Sequence, residues 1–551
     1  MTRPAVVVVG SGAGGAAFAW ALANAGVRVQ VLEAGPSYVP ETDYKLSSPK
    51  WEQRRFPEKV RSRGRQTYAP FQNLDKRWDD LRSWNHLSGN MVKSDVRAFW
   101  GYNHVLGVGG STLHYTGEAH RLHPQAMRMR SRFGVAADWP LDYAELEPYY
   151  QQAERLVGVA GPEDPGVRYR SAAYPLPAHQ LSYASQQLGK GCQKLGLSWT
   201  ANPVASLSRV YDNRPPCNYC GQCTRGCPRF DKGSSDITFI AKALATGNCT
   251  LDTGCQVQSL ETGQNDQVNA AIYTDKQGKQ QRIEADAFAI ACGAVETPRL
   301  LLNSTAANAP NGLGNESGLV GQNFMETLYW VSSGLHPDPL GSHRGLPSDG
   351  ICWDYNAPDA IPGIVGGCRF TPGAIEADLS GPINYANRVV GGWGRSHKQR
   401  MREQFGRVLS VGSIGENLPD SGAFIDLDPE KKDASGLPKA RVHTHLSDTE
   451  LKRLSFMADT CRKILKATGI DKPFEEYGAY DNFNATHVFG TCRMGKDPES
   501  SVVDADCRSH RWRNLLVVDA SVFPSSGGGE SPSLTIHALA LRAARYFMGA
   551  G

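Results

Sequence analysis

The chain has 551 residues, a formal net charge of +4 at pH 7 and 40% apolar residues. By the usual prior that length holds about three or four domains, with composition typical of a globular protein. The small net charge gives no argument for nucleic acid. The thirteen cysteines are an odd, scattered set that does not read as a disulfide framework, which points to folding in a reducing compartment.

Ala5 to Val9 is an apolar, β-branched run and predicts a buried parallel strand. Gly10-Ser11-Gly12-Ala13-Gly14-Gly15 then supplies the pattern G-x-G-x-x-G. The alanine-rich segment Ala16 to Asn24 predicts a helix, and Val27 to Leu32 a second strand ending at Glu33. Gly10 permits a tight turn, Gly12 lets backbone approach a pyrophosphate, and Gly15 lets helix and strand pack closely. The helix start offers N–H groups and a positive dipole to the phosphates, and Glu33 stands where a carboxylate accepts ribose hydroxyls. These features predict dinucleotide binding without separating FAD from NAD. Ala5 to Val27 carries no charged residue, but its glycines divide it into strand and helix, so it reads as neither signal peptide nor membrane span. The basic run from Trp51 to Arg65 reads as a solvated loop, with a partner-docking patch as the alternative.

Leu106-Gly107-Val108-Gly109-Gly110-Ser111-Thr112-Leu113-His114 packs glycines before hydroxyls, the mark of backbone passing close to a cofactor; a plain glycine turn is the alternative. A helix is expected from about Leu146 to Val157, followed by an irregular connector from Pro162 to Pro177. Cys217, Cys220, Cys223 and Cys227 follow with the spacing C-x2-C-x2-C-x3-C-P. That is the spacing of bacterial iron–sulfur ligation. Zinc sites usually separate their ligand pairs by a dozen or more residues, so zinc is the lesser alternative and redox-idle thiols the other.

Ala241 to Leu244 reads as a short helix, and Leu251 to Ala289 as strands with a hairpin turn at Asp275-Lys276-Gln277-Gly278. Phe288 to Ala291 is a further buried strand, and Thr297-Pro298 reads as a helix start. From about Tyr329 to Phe483 short alternating strands dominate, interrupted by one helix from Asp448 to Ala467. The tail returns to the first style, with a buried strand ending at Asp519 and an apolar helix from Leu534 to Phe547.

Together these stretches resemble the glucose–methanol–choline (GMC) oxidoreductases. The resemblance rests on the fingerprint through Glu33-Ala34-Gly35, the loop Val108 to Thr112, Gly293-Ala294-Val295-Glu296-Thr297-Pro298, His487-Val488-Phe489-Gly490-Thr491-Cys492, Val517 to Ser521 and Ser531-Pro532-Ser533. It implies an α/β fold. A Rossmann-like FAD-binding domain would be built from discontinuous segments, 1–328 and 484–551, with the cysteine loop inserted at about 210–235. A substrate domain of mainly antiparallel sheet with flanking helices would occupy 329–483. FAD, not NAD, would then lie against Gly10, Ser11, Gly12, Gly15, Glu33, Ala34, Gly109, Gly110, Ser111, His114, Val257 and Asp519. His114 falls where some members link histidine covalently to the flavin; a histidine packed beside the ring is the plainer expectation.

The cysteine loop is similar to that of membrane-linked, FAD-dependent sugar and polyol dehydrogenases. By that likeness Cys217, Cys223 and Cys227 ligate a 3Fe–4S cluster, while Cys220 leaves 4Fe–4S open. A small partner subunit would aid export to the periplasm and a cytochrome c would take the electrons; a cytoplasmic protein is the alternative.

Oxidising an alcohol requires a base at the hydroxyl and a C–H bond held over the flavin. The resemblance gives the base role to His487, and a neutral imidazole suits it. The second catalytic position usually holds histidine or asparagine and here holds Ser531, which donates a hydrogen bond but is no base near neutral pH. His537 reads as a helix residue rather than its substitute. The expected substrate is a sugar, glycoside or polyol; the aromatic run Leu328-Tyr329-Trp330 suits an apolar substrate or a sugar stacked on Trp330 equally well. A long-chain or aromatic alcohol is the alternative within the family, and a non-catalytic electron-transfer subunit the alternative outside it.

Overall fold

The computed structural model describes residues 4–44, 52, 60–61, 65–164, 166 and 168–549. The basic run from Trp51 to Arg65 lies almost wholly outside them. A five-stranded parallel sheet organises the first half of the fold. Its strands are β1 (Val6–Val9), β2 (Val29–Glu33), β3 (Cys249–Thr253), β4 (Ala287–Ile290) and a closing strand, Leu515–Val517. The spatial order is β3-β2-β1-β4 and then the closing strand, so β1 sits at the centre. All four residues of β1 and of β4 are buried, as expected of a parallel sheet covered on both faces.

Helix α1 (Ala13–Asn24) starts three residues earlier than the sequence suggests and takes in Gly14 and Gly15. Those glycines are needed there. A Cβ on Gly15 would lie 2.0 Å from the Gly10 carbonyl oxygen, and one on Gly14 would lie 1.7 Å from that of Val518. Helix α1 therefore presses against β1 and against the chain just after the closing strand. The C-terminal helix Ser533–Phe547 packs over α1 and over the helix Tyr143–Val157.

Helix α2 (Gly293–Asn303) also begins earlier than expected, since Pro298 lies inside it and not at its start. Proline lacks the N–H that would bond the carbonyl four residues back, here Ala294. The Thr491 hydroxyl donates to that carbonyl instead, at 2.8 Å. The threonine of the His487–Cys492 segment thus repairs a helix some two hundred residues away in sequence.

A six-stranded sheet forms the second half. Its principal strands are β5 (Leu328–Leu335), β6 (Cys368–Pro372), β7 (Val408–Gly415) and β8 (Glu475–Gly478), in the order β6-β7-β5-β8 with antiparallel pairing. Two short strands, Trp84–Asn85 and Gly89–Asn90, extend its edge beyond β8, so an N-terminal segment joins this sheet as well. Helix α3 (Asp448–Ala467) starts at the Ser447–Glu450 capping box and lies across β5 and β7. Trp330 is fully buried, with its ring over Gly478 and under the Arg462 guanidinium at 5.3 Å. It is a core residue and offers no face for a sugar to stack on.

Candidate active site

One cavity of ≈ 820 Å³ runs between the two sheets. Its lining includes Gly10, Gly12, Glu33 and Ala34, Gly110, Ser111, His114, Val257 and Asp519, and also His487 and Ser531. Of the residues expected at the cofactor, Ser11, Gly15 and Gly109 do not line it. Ser11 acts through Glu33, whose Oε2 accepts from the Ser11 N–H at 2.9 Å and from its hydroxyl at 2.7 Å. Gly15 serves helix packing. Gly109, at φ +98°, holds the turn whose N–H reaches the Ser11 carbonyl at 3.2 Å.

The cradle suits a dinucleotide. A Cβ placed on Gly12 would meet nothing nearer than the Gly110 Cα at 4.0 Å, so this backbone faces open space. His104 lines the cavity, is buried, and among the described residues has a partner on neither ring nitrogen; burial holds its pKa down to about 4. A neutral buried imidazole that faces the cavity is ready for a polar group of a bound ligand. Glu33 Oε1 accepts from the Gly35 N–H at 2.8 Å. Its carboxylate thus takes donors from Ser11 and Gly35, with the Gly107 backbone also stabilising its charge, and the ribose role left to it is the remaining acceptor capacity. Burial raises its pKa, against the pull of those hydrogen bonds.

His487, in the same cavity, is fixed by its backbone. Its N–H donates to the Thr327 hydroxyl at 2.8 Å, and that hydroxyl donates back to the His487 carbonyl at 3.0 Å. Burial depresses the His487 pKa to about 4, helped by Arg369 and opposed by Glu118. The ring is therefore neutral across the physiological range and competent to accept a proton. Ser531 lines the same cavity, but its hydroxyl donates to Glu118 Oε2 at 2.6 Å. That proton is directed at Glu118 and not at a substrate alkoxide.

The sequence reading missed Glu118, Arg369 and His120. Glu118 Oε2 also pairs with Arg369 Nη2 at 2.5 Å, and both side chains are buried. Burial pushes the Glu118 carboxyl up, but Arg369, His120 and Ser531 outweigh it and hold the pKa near 2. His120 Nδ1 accepts from the Ser531 N–H at 3.0 Å, which leaves Nε2–H to donate to Asn202 Oδ1 at 2.8 Å. Asn202 Nδ2 in turn donates to Glu118 Oε1 at 3.1 Å. The ring closes on itself and fixes Ser531 and Glu118 against the cavity. His537 lies outside the cavity, buried against Phe239 and Ser235, as expected of a helix residue.

The cysteine loop abuts the same cavity through Thr224. Lys232, fully buried, donates to the Cys223 carbonyl at 2.8 Å and to those of Leu113 and Tyr115 at 2.9 and 3.0 Å. One ammonium thus ties the cysteine loop to both neighbours of His114. Burial raises the thiol pKa to about 12 for Cys217, to about 11 for Cys227 and well up for Cys223, and Cys217 and Cys223 also feel the charge of neighbouring thiols of the loop; Cys220 is exposed as a residue. Cys227 Sγ donates to Asp231 Oδ1 at 3.3 Å. Among the described residues, no three Cys, His, Asp or Glu side chains converge to hold a metal ion. The donor chemistry suits a cluster; the convergence does not. All thirteen cysteines are free.

The family profile described as GMC oxidoreductase matches residues 107–328 and, in its C-terminal part, 419–540; a profile described as NAD(P)-binding Rossmann-like domain matches residues 8–38. The chain belongs to the GMC oxidoreductases. It is an FAD-dependent enzyme of CH–OH donors. Among curated relatives, it is 29% identical to a 2-methyl-1,2-propanediol dehydrogenase of Mycolicibacterium austroafricanum, over 98% of this chain and 94% of that protein. It is 28% identical to a fructose dehydrogenase large subunit of Gluconobacter japonicus, over 98% and 96% of the two chains. It is also 28% identical to a paromamine 6'-oxidase of Streptomyces fradiae, over 99% and 91%. The fold matches that of pyridoxine 4-oxidase from Mesorbium loti with a TM-score of 0.64 at 19% identity, covering 99% of each chain.

Proposed function

We propose that this GMC oxidoreductase is a dehydrogenase that oxidises one hydroxyl of a sugar, glycoside or polyol, with His487 as the base. FAD, when bound, supplies the hydride acceptor. The neutral imidazole of His487 takes the hydroxyl proton, and the Glu118–Arg369–Ser531 network keeps the adjoining wall polar and fixed. The observation that carries this reading is that His487 and the dinucleotide cradle line a single cavity. The 2-methyl-1,2-propanediol and fructose dehydrogenases act, by name, on polyhydroxyl compounds. The wall bearing Glu118, Arg369 and Arg388 suits such a substrate better than a long alkyl chain.

The proposal extends to a cluster at Cys217, Cys223 and Cys227, with Cys220 as an extra thiol, and to an external acceptor such as a cytochrome c. Its supports are the cysteine spacing and the tie through Lys232; it requires the thiols, which do not converge among the described residues, to close around the cluster. Export with a small partner subunit, to the periplasm, completes it; the relatives include proteins named as a large subunit and as a flavoprotein of gluconate 2-dehydrogenase. The test is anaerobic addition of polyols and sugars to the FAD-loaded protein. Bleaching of the flavin by at least one of them, and its loss in His487→Ala at unchanged FAD content, is expected. Retained bleaching in that variant removes the base assignment. Iron and acid-labile sulfide near zero in protein purified without air removes the cluster.

A further inference from the structure

The cavity holds a carboxylate that the reaction just described does not use. Glu376 lies in the turn after β6 and lines the cavity on the wall shared with Glu118 and Arg369. Its Oε1 accepts from the Ser348 hydroxyl at 3.0 Å, and the Thr116 hydroxyl also stabilises its charge. Among the described residues it has no salt-bridge partner. The cations nearby are committed elsewhere. Arg369 serves Glu118, the Gly529 carbonyl at 2.6 Å and Thr371 at 3.1 Å. Arg388 serves Glu475 and the Ala377 carbonyl. Arg225 serves Asp378, the next acid along this wall, at 2.8 Å.

A carboxylate placed in a low-dielectric cavity without a countercharge is costly. Burial, and then the nearby Glu118, raise the Glu376 pKa to about 7, while Arg369 opposes them. The other groups that face this wall, Tyr477, Asp378 and Arg388, supply no free positive charge. The unmet demand is for a cation delivered from outside.

We propose that Glu376 is a specificity-determining residue that receives an ammonium group of the substrate, so that the enzyme prefers an amino polyol to its all-hydroxyl counterpart. The inference rests on the reading of this cavity as the alcohol site. A substrate ammonium donates to the free acceptor positions of Glu376 while a hydroxyl elsewhere on the molecule meets His487. Binding of the cation keeps the carboxylate ionised, so the preference strengthens as pH rises through 7 and weakens below it.

The test uses FAD-loaded enzyme at pH 8 with a dye acceptor and two matched pairs: 3-amino-1,2-propanediol against glycerol, and 2-amino-2-deoxyglucitol against glucitol. The expected kcat/KM ratio, amine over hydroxyl, is at least tenfold, and Glu376→Gln brings it near one at unchanged FAD content. A wild-type ratio at or below one, with the neutral polyols turned over, overturns this inference alone. A ratio that survives Glu376→Gln does so too. Failure of all four compounds to bleach the flavin overturns both this inference and the alcohol-site reading.

Discussion

Arg369→Met isolates the ion pair at the centre of the site. It removes the guanidinium from a buried carboxylate at 2.5 Å and leaves Glu118 with Ser531, Asn202 and a neutral His120. Breaking a buried pair from one side costs about 3–5 kcal/mol, because the remaining charge is uncompensated. At about 2.1 cal/mol/K of unfolding entropy per residue, a chain of this length melting as one unit would lose roughly 3–4 °C. The pH dependence gives the sharper test. In the native protein the Glu118 pKa is depressed to about 2. Its stabilisation is therefore present above the unfolded carboxyl value and is lost as pH falls through 2. In the variant, burial without Arg369 raises the folded pKa instead, so the deficit grows with rising pH and shrinks towards pH 5. The double variant Arg369→Met/Glu118→Gln, which removes both charges, recovers most of the loss. Urea midpoints at pH 5 and 8 for the four proteins of the cycle measure this. An additive double variant, or a deficit equal at both pH values, would refute the reasoning.

Three further outcomes are expected. Gly12→Ala has room in the protein itself, with no atom nearer than 4.0 Å to the new Cβ, so the apoprotein keeps its melting temperature while FAD occupancy falls; equal FAD content contradicts the pyrophosphate assignment. His487→Ala lowers turnover by roughly 10²- to 10⁴-fold, and for neutral polyols the kcat/KM of Glu376→Gln is flat from pH 8 down to about 5 and declines only as His487 protonates near 4; an inflection between 6 and 7 in that variant points to a different base. Thr491→Val strands the Ala294 carbonyl freed by Pro298 and costs about 1–3 kcal/mol; Pro298→Ala restores a backbone donor and reduces that loss, and no such coupling in thermal melts means another group satisfies the carbonyl.

The legible parts of the chain were those fixed by local pattern. The strand–glycine–helix unit, the hairpin at Asp275–Gly278 and the helix at Asp448 are set by residues close in sequence. The misplaced start of α2 shows the limit: Thr297-Pro298 has the local chemistry of a helix start, and only Thr491 makes an interior proline tolerable. Trp330 shows it again, since nothing local distinguishes a core indole from a sugar platform. Glu118 and Arg369 were missed because their meaning is the contact between them, across residues far apart in sequence. One signal for Glu118 was present: residues 98–117 contain no Asp, Glu, Lys or Arg, and Glu118 ends that run. A solitary acid that closes an uncharged, glycine-rich, cofactor-facing stretch is worth marking as a site residue.

The closing strand Leu515–Val517 completes the sheet whose centre is laid down by Val6–Val9. Residues separated by most of the polypeptide must therefore meet before the nucleotide cradle has its final shape, and loops of that size close late. During synthesis the front of the chain has to wait, half-covered, until Leu515–Val517 has emerged. A chain cut before Leu515 has a gap at the sheet edge and an uncovered α1, so it should emerge aggregation-prone and flavin-free despite an intact fingerprint.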